Sequence, residues 1–214
     1  MHSTTSTRRM LYACMLALGL SSLTATADEG GLYAPNAPKG SAFIRGYNAS
    51  NSEQNFSVGN TELSDIAPLA SSDFSFLPAG SYSAQVGSNS LPVKLEAEHF
   101  YTLVSQVGEP PKLVDEAPFN NKRKALLRVQ NLSDSTLSLK TADGKPVVDG
   151  VAPDANGQRE VNPVKVNLAL FDGERKVSDL KPVTLARGEV VCLYITGSGN
   201  ALSPVWVKRP ARTD

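Results

Sequence analysis

The chain has 214 residues, with 21 basic and 21 acidic side chains but only 2 histidines and 2 cysteines. A balanced charge with no dense basic stripe excludes gripping a polyanion mainly by charge and argues against nucleic acid as a partner. So few imidazoles and thiols leave little for a metal site, and the scattered Asp-Gly pairs do not form a D-x-D-x-D-G calcium loop.

Residues 1–27 read as an export signal. Arg8 and Arg9 give an acid-free charged start, and Met10 to Leu20 is apolar but too short for a permanent span of about 20 residues. Ala25-Thr26-Ala27 is a small-x-small cleavage site ahead of Asp28. A lipobox at "LYAC" cut before Cys14 fits less well, because it strands much of the apolar core on the mature chain, and Arg-Arg in "TRRM" is weak support for a twin-arginine signal. Removing the two arginines leaves 19 of the 21 basic residues against 21 acids, so the mature chain is slightly acidic. Cys14 leaves too, which rules out a disulfide within one mature chain. Cys192 in "EVVCLYI" is therefore read as a small apolar core residue, with no cation in the strand's alternation to lower its pKa.

From there the elements in chain order are all strands. The first set is "SAFIRGYN" (41–48), "FSFLP" (74–78), "YSAQVG" (82–87), "LPVKLEA" (91–97) and "HFYTLVSQV" (99–107), with Pro78-Ala79-Gly80-Ser81 as a turn. The second set is "ALLRVQN" (125–131), "TLSLKTADG" (136–144), "KPVVDGV" (145–151), "VKVNLALFDG" (164–173), "KPVTL" (181–185) and "VVCLYITG" (190–197). Asp143-Gly144, Asp149-Gly150 and Asp172-Gly173 are each expected to form tight hairpin turns. No window keeps helical apolar spacing for three turns without Pro or Gly. Short strands at this spacing predict an all-β fold of antiparallel sandwiches, Ig-like or jelly-roll-like.

A repeat divides the chain. "AFIRGYNASN" (42–51) returns as "ALLRVQNLSD" (125–134), and "LPVKLEAEHFYTLV" (91–104) as "KPVTLARGEVVCLY" (181–194), the offset growing from 83 to 90 residues. Two tandem β-sandwich domains follow, spanning 28–114 and 115–214 after the signal at 1–27, with the join in the proline-rich "EPPKLVDEAPFNNK" (109–122). Alternation puts Phe43, Arg45 and Tyr47 on one face of the first repeated strand and Ile44 and Gly46 on the other. In its copy Leu126, Arg128 and Gln130 point outward, Leu127 and Val129 inward. Arg45 and Arg128 are thus expected on the solvent side, their stems covering apolar surface. Asn48-x-Ser50 and Asn131-x-Ser133 match glycosylation sequons but read as turn formers.

Catalytic equipment is not visible. The mature chain keeps one histidine, His99, which aligns with Glu189 and is expected at a sheet rim. There is no G-x-S-x-G elbow, "TGSGN" (196–200) lacks its spacing, and no glycine-rich phosphate loop precedes a helix, so no cofactor is expected.

The segments "LYAPNAPKGSAFIRGYNAS", "PFNNKRKALL", "LSLKTADGK" and "LALFDGERKVSDLKPVTL" together resemble the AlgF family of periplasmic alginate O-acetylation proteins, over nearly the whole mature chain. The resemblance implies a non-enzymatic periplasmic subunit working with a membrane-bound O-acyltransferase and periplasmic acetyltransferases that acetylate O2 and O3 of mannuronate residues. Adaptor action is the expected role. A carbohydrate-binding module holding the alginate chain is the alternative, with Tyr33, Phe119 and Trp206 as the aromatics to check, and a cryptic acetyltransferase is the third reading. The candidate partner or polysaccharide contacts are the basic cluster Lys122, Arg123 and Lys124 beside the join, together with Lys140 and Asp143. Neither the segment "LYAPNAP" nor the tail "VWVKRPARTD" is given a role.

Overall fold

The structure is a computed structural model that describes residues 37–199 and 201–209. The signal segment and Tyr33 lie outside the described residues. Among the described residues every regular element is a strand. The first half holds β1 (Ser41–Ala49), β2 (Gln54–Val58), β3 (Thr61–Ile66), β4 (Ala70–Ser71), β5 (Ser75–Pro78), β6 (Gly80–Val86), β7 (Asn89–Leu95), β8 (Phe100–Gln106) and β9 (Lys112–Glu116). The second holds β10 (Ala125–Asn131), β11 (Leu137–Thr141), β12 (Pro146–Val151), β13 (Asn156–Val161), β14 (Val164–Val166), β15 (Leu168–Asp172), β16 (Arg175–Asp179), β17 (Val183–Leu185), β18 (Val190–Thr196) and β19 (Ser203–Arg209).

In the first half an inner sheet, β4-β1-β8-β9 with β5 also on β1, faces an outer sheet, β3-β2-β6-β7. Ile44, Phe56, Val58, Leu95 and Leu103 fill the space between them. The second half repeats the plan with β13-β10-β18-β19 inside, β12-β11-β15-β16 outside, and a small β14-β17 pair. Leu127, Leu139, Leu170 and Leu193 lie at its centre. Each such fully buried aliphatic side chain contributes about 1.5–3 kcal/mol of transfer free energy, the usual driving force for closing a two-sheet unit.

The duplication is written in hydrogen bonds. Asn48 Nδ2 donates to the Ser52 and Ile66 carbonyls at 2.7 and 2.8 Å, and Asn131 Nδ2 donates to those of Ser135 and Val151 at 2.7 and 2.9 Å. Each Asn Oδ1 accepts from the backbone N–H and hydroxyl of the serine two residues on. Both asparagines are 0% exposed, so they act as internal clamps between a turn and the end of a neighbouring strand, the turn-forming role expected of them, and neither amide is open to glycosylation.

The expectation for the repeated strands fails on one face. β1, β8, β10 and β18 are buried almost without interruption, because the two inner sheets pack on each other. Tyr47, Val104 and Val114 of the first half meet Cys192, Tyr194 and Val207 of the second in a third core. Arg45 and Arg128, expected in solvent, are 1% and 4% exposed. Alternation identified the two faces correctly, but whether the polar-looking face meets water or a second sheet depends on what packs there. The sheets are also mixed, since each half pairs its first strand in parallel with its next-to-last strand, β1 with β8 and β10 with β18, Phe43 opposite Phe100 and Leu126 opposite Val190.

Local departures have local causes. Asp149-Gly150 lies inside β12 and makes a bulge, where Ser138 Oγ donates to Asp149 Oδ1 at 2.6 Å and accepts from Gly150 N at 3.0 Å. Asp143-Gly144 and Asp172-Gly173 do close the hairpins β11–β12 and β15–β16, with the glycines at φ 83° and 59°. "VKVNLALFDG" divides at Asn167 into β14 and β15, which join different sheets. Pro78 to Ser81 is a sheet-to-sheet crossing, since β5 pairs β1 while β6 pairs β7.

Candidate functional site

Strand β9 lies inside the proline-rich segment read as the join, and it ends in Glu116, 0% exposed at the seam between the inner sheets. Register sets Arg45 of β1 directly opposite Thr102 of β8, and Glu116, opposite Phe100, one row along on the same face. Glu116 Oε1 accepts from Arg45 Nη2 at 2.6 Å, Thr102 Oγ1 at 2.7 Å and, across the seam, Tyr194 OH at 2.8 Å. Arg45 also donates from Nε to Thr102 at 2.9 Å and from Nη1 to the Lys208 carbonyl of the second half at 3.2 Å. Arg209 approaches from β19, its Nη1 3.8 Å from Glu116 Oε2.

Burial alone would raise the Glu116 carboxyl. The charges of Arg45 and Arg209 and the hydrogen bonds from Thr102 and Tyr194 outweigh it and hold the group below its ordinary value. Arg209 is the weaker partner, lowered to about 10 by burial, with Glu116 the main group opposing and Arg128 and Arg45 nearby. Arg128 is tied sideways, Nε and Nη2 donating to Gln158 Oε1 at 3.2 and 2.9 Å. Three guanidiniums and one carboxylate therefore share a dry seam.

Two grooves open along the seam, of about 600 and 420 Å³. Both are lined by Lys112 and Asp154, whose 2.6 Å ion pair ties the halves together. The first adds Lys94 and Asp115 to the lining, the second Glu109 and Asp134. A third, small cavity of about 20 Å³ sits where the chain passes from β9 to β10, lined by Phe100, Phe119, Asn120, Gly188 and Arg209.

The sequence-derived contact residues separate into two places. Lys122, Arg123 and Lys124 lie on that connecting segment, the first two exposed, and Lys124 Nζ donates to Asn162 Oδ1 at 2.7 Å. Lys140 and Asp143 belong to the outer sheet of the second half and its hairpin. Lys140 is only 9% exposed, its ammonium held by the Gly173 carbonyl at 3.1 Å and by Glu174. Asp143 is fixed by Thr141 and Lys145, whose hydrogen bonds bring its carboxyl down to about 2. Trp206 is half-buried against the second core, its Nε1 donating to the Lys181 carbonyl at 3.0 Å.

His99 occupies the rim position expected of it: its carbonyl accepts from Phe43 N at 2.9 Å, as Glu189's does from Leu126 N at 3.0 Å. Its Nδ1 lies 3.1 Å from Asp115 Oδ1. Cys192 is 1% exposed and burial pushes its thiol up, in keeping with a core residue. Sequence reasoning missed Glu116 and Arg209. Glu116 is hidden in the proline-rich join and Arg209 in the tail; the apolar run "PVWV" ahead of Arg209 is the available strand signal.

Fold and seam together define an all-β protein made by duplication of a two-sheet unit and sealed by a buried ionic cluster. Residues 15–192 match the family model described as alginate O-acetyl transferase AlgF. The alginate biosynthesis protein AlgF of Pseudomonas aeruginosa is 69% identical over 203 residues, 94% of each chain, and that of Azotobacter vinelandii is 62% identical over 199 residues, 92% of each. The AlgF of Pseudomonas fluorescens is 59% identical over 213 residues, 98% of each. The chain belongs to the AlgF family. Among solved structures, the C-terminal domain of P. aeruginosa AlgF matches 41% of this chain and 100% of its own, at 75% identity and TM-score 0.39. The N-terminal domain matches 38% and 99%, at 60% identity and TM-score 0.34.

Proposed function

We propose that the chain is a non-catalytic periplasmic adaptor of alginate O-acetylation, which holds a membrane-bound O-acyltransferase and periplasmic acetyltransferases together while they acetylate mannuronate residues. The observation that carries this reading is the state of the groups best suited to acyl chemistry. Cys192 is sealed with its thiol pushed up, and His99 Nδ1 is engaged by Asp115; among the described residues no hydroxyl hydrogen-bonds to that imidazole. Acyl transfer needs a nucleophile paired with a base. An adaptor needs neither, and aligning reactants alone can supply effective molarities of about 10⁵ M.

The seam grooves favour this reading over a carbohydrate module. Asp115 and Asp154 offset the lysines of one groove, and Glu109, Asp134 and Asp154 exceed the single Lys112 of the other, which repels a polyuronate. The test incubates the purified mature protein with a chromogenic acetyl ester and follows it by intact mass, while mannuronate oligomers are titrated in a parallel calorimetric run. Neither acetyl adduct nor saturable oligomer binding is expected, and the acetyltransferases are expected to co-purify with the protein. A covalent acetyl group, or co-purification of none of those enzymes, would overturn the reading.

A further inference from the structure

One end of the seam carries an aromatic tier. Phe76, Phe43 and Phe100 are register partners across β5, β1 and β8, so their side chains form one row on one face. Phe43 and Phe100 stack at 4.6 Å with planes 12° apart, and Phe74 meets Phe100 edge-on at 5.2 Å. Arg209 of the second half lies 4.0 Å over Phe100, and the cover thins beyond it: Phe76 is 36% exposed, Phe43 and Phe74 half-buried. Phe100 and Arg209 also line the small cavity.

Arg209 is 5% exposed, yet among the described residues its guanidinium donates one hydrogen bond, to the Glu116 carbonyl at 3.4 Å. Its remaining N–H groups have no acceptor among those residues. The rim is cationic: Arg123 and Lys124 follow the cavity-lining Asn120, the Lys124 carbonyl accepts from the cavity-lining Gly188 N at 2.8 Å, and Arg187 beside that glycine is exposed. Carboxylates on the same turns are occupied. Glu98 accepts from Gly40 N at 3.2 Å, and Glu189 from Ala186 N at 3.0 Å while pairing with Lys208 at 3.3 Å.

We propose that this end of the seam docks an acidic segment of a protein partner, one carboxylate placing an oxygen in the cavity against Arg209 and an apolar neighbour lying over Phe76. The proposal rests on the adaptor reading and specifies the surface that reading uses. Size selects the occupant. A cavity of about 20 Å³ admits one water-sized group, the leading carboxylate oxygen that the one- or two-methylene stem of Asp or Glu can present, whereas a uronate carries its carboxylate directly on a bulky ring. Buried arginine beside half-exposed aromatics, with cations at the rim, is also the composition of energetically dominant protein contacts.

The test measures binding of the periplasmic acetyltransferases, each purified, to the full mature protein by calorimetry at low and high salt. Phe76→Ala and the exposed double reversal R123E/R187E are compared with Val107→Ser, at a 65% exposed residue that follows β8 at the opposite end of that strand; circular dichroism confirms that each is folded. For at least one enzyme each seam-end change is expected to weaken binding roughly tenfold or more, the charge reversal should flatten the salt dependence, and Val107→Ser should leave binding unchanged. If the unmodified protein binds but the seam-end variants bind equally well, this surface is wrong and the adaptor reading survives. If the unmodified protein binds none of the enzymes, both fall. Saturable binding of mannuronate oligomers that the same variants abolish would assign the site to the polymer and overturn the proposal.

Discussion

Arg45 Nη2 and Glu116 Oε1 lie 2.6 Å apart with side chains 2% and 0% exposed, and what seals them is the inner sheet of the other half. Tyr194 closes over the pair with a 2.8 Å hydrogen bond to the same oxygen. An ion pair so dry is stable only while complete, because each charge has lost its water.

Glu116→Gln is therefore expected to be costly. It leaves Arg45 and Arg209 facing each other without a counter-charge, a loss of about 3–5 kcal/mol in urea unfolding. A loss below about 1 kcal/mol would mean that water reaches the seam.

The same carboxylate sets an acid limit. Its folded pKa is held below the ordinary carboxyl value of about 4.3, so its contribution is complete above that pH and is lost as pH falls through the folded value. Melting temperature followed from pH 7 into acid should stay level and then drop below about pH 4, more steeply in the native chain than in Glu116→Gln. Equal slopes would remove Glu116 from the acid transition.

Duplication makes a paired prediction. Asn48→Ala and Asn131→Ala each leave two backbone carbonyls without their donor, at about 1–3 kcal/mol per site. The two losses should agree to within about 1 kcal/mol, since both clamps have the same geometry. Denaturant midpoints of both variants check this.

Cys192 should report opening of the seam. Burial raises its thiol and hides it, so a disulfide reagent is expected to react slowly in native buffer and stoichiometrically in denaturant. Fast native labelling would show the inner sheets parting.

Tight packing in the second half predicts one steric failure. A Cβ on Gly157 would lie 2.6 Å from Val148 Cγ1 and 2.8 Å from Val151 Cγ2, so Gly157→Ala should cost about 1–3 kcal/mol by overpacking. Thermal denaturation of the folded variant measures it.

Much of the architecture was written locally. Apolar alternation, turn residues and the repeated phrase placed β1, β8, β10 and β18 and aligned the two halves, because strand pleat and turn chemistry act over a few residues. Strands such as β3 and β13 escaped notice, since "TELSDI" and "NGQREV" are polar and largely exposed, and at a sheet's edge pairing can decide the conformation without apolar patterning. The basic cluster was legible as charge, but its neighbours were not. Phe76, Phe100, Arg187 and Arg209 come from four separate stretches of chain, and only closure of the seam brings them near Arg123 and Lys124.

By itself, then, the amino-acid order determined that this is a duplicated β protein with an apolar Cys192 and turn-forming asparagines, all properties carried by neighbours along the chain. Only tertiary structure decided that the faces bearing Arg45 and Arg128 meet a second sheet instead of water. That choice depends on burial across 71 or more residues of separation, as for Arg45 with Glu116 or Glu116 with Tyr194, where an arginine is tolerated because a carboxylate from another strand arrives to meet it.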